Sequence, residues 1–452
     1  MIEHSPFSTT QEADLPLLPQ PPRSVQETGL DLSLLCELCA KTLYVGGKMH
    51  LPVLTTRLRL PVSVLREVLD TLVADQLAEV SWRGESEIDV QYQLTGPGRQ
   101  RAAGWLERSA YVGPAPVPLE MYRSVSQRQA ATLPRVSAQD VAEAFAEDCL
   151  SPQVRELVGA ALHSGRALFL YGPSGSGKST LARKLGRLLH GVVAVPYALA
   201  VGPEIVQLHD PAVHLPPPLA QQARHGADRR STDARWALCQ RPVLQLGAEL
   251  TQPMLDLRRD SAHGCYQAPP HLKANNGLLI VDDLGRQRIP ADELLARFAR
   301  PVEQQQDVLS LQGGSEFTVP FNVVLALVTS QEPEMLLDAG ALRRAGYKIH
   351  IGPLGDAAYR TLFRQQCRAC GMEVDEGALA YLVEELHRGG GQPLLASFPR
   401  EILGRVADFA GYAGQPARPT VAALDQAWSS MFAATVPQLA TGTEGSLFAR
   451  IE

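Results

Sequence analysis

A lysine followed by a hydroxyl residue, set behind three spaced glycines, is chemistry for a phosphate chain. The run Gly172-Pro173-Ser174-Gly175-Ser176-Gly177-Lys178-Ser179-Thr180 supplies it. The three glycines let the backbone bend and come close, so successive N–H groups turn toward one anion. Lys178 adds a cation for the β- and γ-phosphates, and the Ser179 hydroxyl suits a Mg²⁺ ligand. A second chemical pair, Asp282-Asp283, ends the apolar run that starts at Gly277. Asp282 is placed to hold Mg²⁺ through water, and Asp283 to orient or polarise an attacking water. Together these residues imply binding of a nucleoside triphosphate, with ATP and Mg²⁺ as the expected ligands.

For those groups to meet, particular elements must carry them. The apolar run 167–171 reads as a strand feeding the loop. Leu181, Leu185, Leu188 and Leu189 make the apolar stripe of a helix opening near Lys178, whose positive end faces the same anion. Four apolar residues ending in two carboxylates read as a buried central strand whose tip opens onto a ligand crevice. Strand candidates at 167–171, 192–200, 278–282, 322–328 and 347–352 alternate with helical patterns. That pattern implies an α/β fold with a parallel sheet covered on both faces.

On these residues the chain resembles the AAA+ ATPases over roughly 141–435. Gly172–Ser179 matches the Walker A motif, and Leu278–Asp283 matches Walker B, which in the family usually ends in Asp-Glu. Here the second acid is Asp283, one methylene shorter. Residues 322–328 resemble the sensor 1 strand, and Ser330 stands by position where the family often has Asn. Gly340–Tyr347 lies where the family carries an arginine finger, which the resemblance assigns to Arg343 or Arg344 without choosing. Ser397-Phe398-Pro399-Arg400-Glu401 resembles the sensor 2 motif, which makes Arg400 the expected reporter of γ-phosphate. Asp307–Leu311 and Phe317–Phe321 flank a Gly-Gly turn and resemble the pre-sensor-1 hairpin of one clade. That clade includes magnesium-chelatase subunits, enhancer-dependent transcription activators and ring helicases. The resemblance implies catalytic roles for Lys178, Asp283, Ser330, Arg343 or Arg344, and Arg400. It also implies a head-to-tail ring of copies, hexameric by expectation.

The remainder of the 452 residues suggests further parts. Residues 1–28 are proline-rich and polar and read as a disordered lead-in. Residues 29–110 read as a winged-helix-like domain, with three helical runs and then alternation around an Arg83–Ser86 turn. A linker is expected at 111–140, the nucleotide domain at 141–354, a helical lid at 355–435 and a flexible tail at 436–452. The span 192–277 exceeds a simple connection and reads as an insertion with its own role. Cys36/Cys39 and Cys367/Cys370 share Cys-x-x-Cys spacing, but both pairs sit in helical sequence where packing is the expected use. His209 and His214 flank Asp210 and lack a third metal partner nearby.

The formal charge is −6 and charged residues are 20% of the chain, which gives no electrostatic reason for the whole molecule to bind nucleic acid. The third helix of the N-terminal module sets Arg66 against Glu67, Asp70, Asp75 and Glu79, so phosphates would repel it. Seven cysteines fit a reducing compartment, and no apolar run reaches the ~20 residues that cross a bilayer. A cytoplasmic, ring-forming ATPase that remodels a protein client is the expectation, with no membrane insertion. The alternatives are a DNA-associated AAA+ initiator, loader or activator reading DNA through the winged helix, and an ATP-switched scaffold with little turnover.

Overall fold

Ser24 accepts a hydrogen bond from the Glu27 amide and so opens the short helix α1 (Val25–Thr28), which Gly29 closes in the left-handed region. The computed structural model describes residues 19–218, 232–260 and 264–432. The expected tail and residues 1–18 of the expected lead-in lie outside them. Disorder through residue 28 is corrected by α1: Val25 and Thr28 are buried, and the Val25 amide donates to Glu67 Oε2 at 3.0 Å. Two compact units divide the chain: residues up to 172 with 178–351, and 173–177 with 352 onward.

In the first unit, α2 (Leu32–Gly46), α3 (Leu51–Leu58) and α4 (Val62–Ala74) bury leucine-rich stripes. They pack with β1 (Met49–His50), β2 (Ala78–Arg83) and β3 (Val90–Leu94), an antiparallel sheet in the order β1-β3-β2. Thr95 caps α5 (Gly96–Arg108). Cys36 and Cys39 lie in this core, where burial pushes their thiols up to about 11 and about 12. The core does not close on itself, because Ala198, Ile205 and Cys265 from the later insertion belong to it.

The stretch expected as a linker is largely folded. It contains β4 (Val117–Pro118), α6 (Leu119–Thr132) and the start of α7 (Ala138–Ala144). Tyr122, Val125, Ser126 and Gln129 recur at helical spacing and are buried, so the prolines before them start the helix rather than prevent it. Gln129 locks α6 to a strand beyond the phosphate loop: its Oε1 accepts from the Ala194 amide at 2.6 Å and its Nε2 donates to Ala194 O at 3.2 Å.

From α8 (Pro152–Ser164) the chain enters β5 (Leu168–Tyr171), turns through the loop and starts α9 (Lys178–Leu185). It then runs through β6 (Val192–Pro196), β7 (Ala198–Val201), β8 (Glu204–Gln207), β9 (Trp236–Gln240) and β10 (Val243–Leu246). After β11 (Arg258–Arg259) and β12 (Tyr266–Gln267) come β13 (Leu278–Val281), the hairpin β14 (Gln306–Ser310) and β15 (Glu316–Pro320), β16 (Val324–Val328) and β17 (Tyr347–His350). The central sheet has the order β10-β13-β16-β5-β17, with every neighbouring pair parallel.

One strand expected in that sheet is elsewhere. Residues 192–200 break at Pro196-Tyr197 into β6, which pairs antiparallel with β9, and β7, which pairs with β8 and β4. All five residues of β6 are buried, so its continuous apolar run imitates a central parallel strand. The true fifth member is β10, whose Val243 and Gln245 are exposed at the sheet edge. An edge strand four residues long leaves little apolar signal.

Arg235 ties the insertion to the N-terminal residues. Fully buried, it donates to both Asp233 carboxylate oxygens, with the shortest contact 2.8 Å. It also donates to Thr28 O at 3.1 Å and Pro116 O at 3.2 Å. Its charge is therefore paired and hydrogen-bonded, the condition for burying it.

The second unit is helical: Asp356–Ala369, Glu376–Tyr381 running into a π-helical stretch Leu382–Gly389, then Phe398–Tyr412 and Val421–Met431. Tyr359, Phe363, Cys367, Leu379, Ile402 and Leu403 form its core. No helix among the described residues is long and apolar enough to cross a membrane.

Candidate active site

Strand β5 delivers Gly172 to the start of the loop at φ 135°. A Cβ there would lie 2.4 Å from Ile351 O, so the close approach of β5 and the chain after β17 requires glycine. Lys178 opens α9 with its side chain buried, and its Nζ donates to Gly172 O at 2.8 Å. Burial lowers the ammonium's pKa, while the charges of Asp282 and Asp283 pull it back up. Both acids are thus within electrostatic reach of the lysine.

Ser179 Oγ donates to Asp282 Oδ1 at 2.8 Å, a bond that joins the two motifs across 103 residues. Gln245 Nε2 donates to Asp282 Oδ2 at 2.8 Å, and the Asp283 amide to Oδ1 at 3.0 Å. Gln287 Nε2 holds the Asp282 carbonyl at 2.7 Å. The donors bonded to this carboxylate are all neutral. A hydroxyl and a carboxylate side by side are the hard oxygen donors that suit Mg²⁺, so the residues fit the ion that the sequence implies.

Asp283 is exposed and sits at φ 54°, a left-handed position that aspartate tolerates better than most residues. The turn it makes is tied to the next strand, since the Leu284 amide donates to Val328 O at 2.7 Å. At the end of β16 the buried Thr329 hydroxyl donates to Leu284 O at 2.9 Å and accepts from the Gln331 amide at 3.1 Å. Thr329 is therefore committed to the backbone, and the half-buried Ser330 stands beside it. Arg343 is exposed in the helix Ala339–Arg344, whose last residue is Arg344. Thr180 is exposed on the first turn of α9.

In the second unit, loop residues Pro173, Ser174, Gly175, Ser176 and Gly177 meet the segment before the helix Phe398–Tyr412. The Ser397 amide donates to Gly175 O at 2.9 Å. Gly175 has φ 82°, and a Cβ on it would lie 2.6 Å from Ser397 Oγ. Ser176 is buried and Ser174 exposed. Arg400 is exposed in the first turn of that helix, after the buried Pro399.

Two residues that shape the site were not legible in the sequence. Gln245 lies on the edge strand β10, and Gln287 lies five residues past Asp282. A polar residue inside an otherwise apolar four-residue strand was the available signal for Gln245.

Counted in chain order, the central strands lie second, third, fourth, first, fifth across the sheet. The phosphate loop follows the first, the acid pair the third and the Thr329-Ser330 corner the fourth, on adjacent parallel strands. The fold is that of a P-loop nucleotide-binding α/β domain.

Known proteins are similar to it only in part. A family described as "Domain of unknown function (DUF8689)" matches residues 355–430, the helical unit. The lipoprotein-releasing system ATP-binding protein LolD 2 of Rhodospirillum rubrum is 45% identical over 58 residues, 13% of this chain and 25% of that protein. Among solved structures, NtrX from Brucella abortus in complex with ADP shares 15% identity over 68% of this chain and 57% of its own, at TM-score 0.38. The Thermotoga maritima RuvB Holliday junction branch migration motor gives 13%, 65% and 70% at TM-score 0.34. Domain III of the Thermotoga maritima replication initiation protein DnaA gives 12%, 63% and 95% at TM-score 0.36. This chain thus spans a quarter of the curated relative and little more than half of NtrX. The strand order and the loop, and not these distant likenesses, define the P-loop α/β fold here.

Proposed function

We propose that the protein binds ATP and hydrolyses it to remodel a protein partner, as a head-to-tail ring of copies. The observation that carries this reading is the Ser179–Asp282 hydrogen bond at 2.8 Å. It sets a hydroxyl and a carboxylate beside the phosphate-binding lysine, where nucleotide hydrolysis needs them. Ser179 and Asp282 would hold Mg²⁺, which when bound neutralises charge on the β- and γ-phosphates. Amides of the loop and Lys178 bind the triphosphate and orient its terminal group. Asp283 accepts a proton from, or aligns, the attacking water, with Ser330 beside it.

Arg343 or Arg344 is proposed to act on a neighbour's γ-phosphate, since a guanidinium is planar, always charged and bidentate. Arg343 is exposed, as a residue serving another subunit must be. Arg400 is proposed to register γ-phosphate from the helical unit. The N-terminal module has the helix and strand order of a winged helix, and we propose that it docks protein. Arg66 on its third helix is paired with Glu87 at 3.3 Å, which fits protein docking better than DNA reading.

The test is a double variant, Arg343→Ala with Arg344→Ala. It should bind ATP normally and lose about 10³-fold or more of steady-state turnover. Hydrolysis at the parental rate would reject the ring-borne arginine. Complete loss of nucleotide binding in Lys178→Ala tests the loop itself.

A further inference from the structure

At the end of the central sheet opposite the phosphate loop lies a cleft of about 290 Å³. Its floor is the residues just before the strands: Ala167 before β5, Arg241 before β10, Gly277 before β13 and Val323 before β16. β5 alone is four residues long, so about 13 Å of strand separates this cleft from the loop. Whatever fills it is not the nucleotide's phosphate chain.

Two polar atoms in the cleft, one on half-buried Arg241 and one on buried Asn276, are shielded from solvent without hydrogen-bond partners. Arg241 Nε is shielded from solvent and makes no hydrogen bond. No ion pair to Arg241 exists among the described residues, and no carboxylate lines the cleft. Burial lowers this guanidinium's pKa to about 10, with no acid near enough to offset it. Asn276 is 6% exposed and its Oδ1 is also unpaired. Its other end is fixed, since Nδ2 donates to Ser126 Oγ at 3.2 Å. The amide can turn over, with Ser126 then donating, and so meet either a donor or an acceptor. Asn322 and His163 also line the cleft, beside apolar Leu162 and Phe321.

Unpaired buried polar atoms are rare enough to need a reason. We propose that this cleft binds a small organic anion, with its phosphate or carboxylate group on Arg241 and its polar body on Asn276. The site is independent of ATP hydrolysis and stands whether or not that reading holds.

The test uses the full chain carrying Lys178→Ala, so that the phosphate loop does not compete for anions. Inorganic phosphate and citrate are titrated separately by calorimetry. One site per chain is expected for at least one of them, weakened about tenfold or more by adding Arg241→Met. Heat from phosphate alone identifies a phosphate-bearing ligand, and heat from citrate alone a carboxylate-bearing one. Either result supports the site. No binding of either up to about 20 mM, or binding that Arg241→Met leaves unchanged, overturns it. A second measurement guards against misfolding. Without added anion, Arg241→Met removes a half-buried cation that lacks an acid partner, and should leave Tm unchanged or raise it by a few degrees. A lower Tm would mean that Arg241 serves the fold, and would also overturn the proposal.

Discussion

Asp282 and Asp307 are both buried aspartates held by several donors, yet they are held in opposite ways. The carboxylate of Asp282 takes its bonds from a hydroxyl, a side-chain amide and a backbone amide. Asp307, at the foot of the hairpin, takes Arg297 bidentately at 2.7 and 2.8 Å and His271 at 2.7 Å. Burial alone would raise the Asp307 carboxyl, but the hydrogen bonds of His271 and Arg297 and the charge of Arg297 overrule it and hold it near 2. Burial lowers the His271 pKa against the pull of Asp307, and its Nδ1 is left unpaired. The difference teaches which acid is available for chemistry. Neutral donors orient a carboxylate without cancelling its charge, whereas a bidentate guanidinium does both. Asp282 is set to meet a cation, and Asp307 has already met one.

The sharpest test of that contrast is Asp307→Ala, which strands Arg297 beside His271. It should cost about 3–5 kcal/mol in urea unfolding, while turnover per folded molecule stays near parental. An equal loss of turnover would break the distinction. Asp282→Asn should do the reverse, lowering ATP turnover about 10²–10³-fold with Tm little changed. Gln245→Leu removes only an orienting bond, so turnover should drop about tenfold with nucleotide binding retained. Acid should separate the two sites in a milder way. Since folding depresses the Asp307 carboxyl, its contribution to stability is present above the usual carboxylate range and is lost as pH falls from about 4 toward 2. Urea midpoints should therefore decline over that window in the parent and less in Asp307→Asn. The smallest effect is expected for Asp283→Glu, which restores the commoner acid and should change turnover less than about tenfold.

How much of this was legible in the sequence follows from where each signal originates. The loop, the acid pair and the strand before each could be read because phosphate chemistry constrains residue type and spacing together. Arg343 or Arg344, Ser330 and Arg400 could be named only by position, and an arginine that serves a neighbour's nucleotide would need a second copy of the chain to show it. β10 was hidden because an edge strand exposes half its residues, and β6 was misplaced because burial on both faces looks alike in any sheet. The helix α6 was obscured by the prolines before it, although Tyr122, Val125 and Gln129 kept helical spacing. The Arg241 guanidinium in the rear cleft left no pattern, since Arg241-Pro242 reads as an ordinary turn.

Arg235 has a mechanical consequence. One immobilised side chain grips backbone carbonyls at Thr28 and Pro116 while clamped to Asp233, so the N-terminal module is not a bead on a loose string. A force on that module would reach the insertion at Asp233 without slack, as through a lever bolted to its mount.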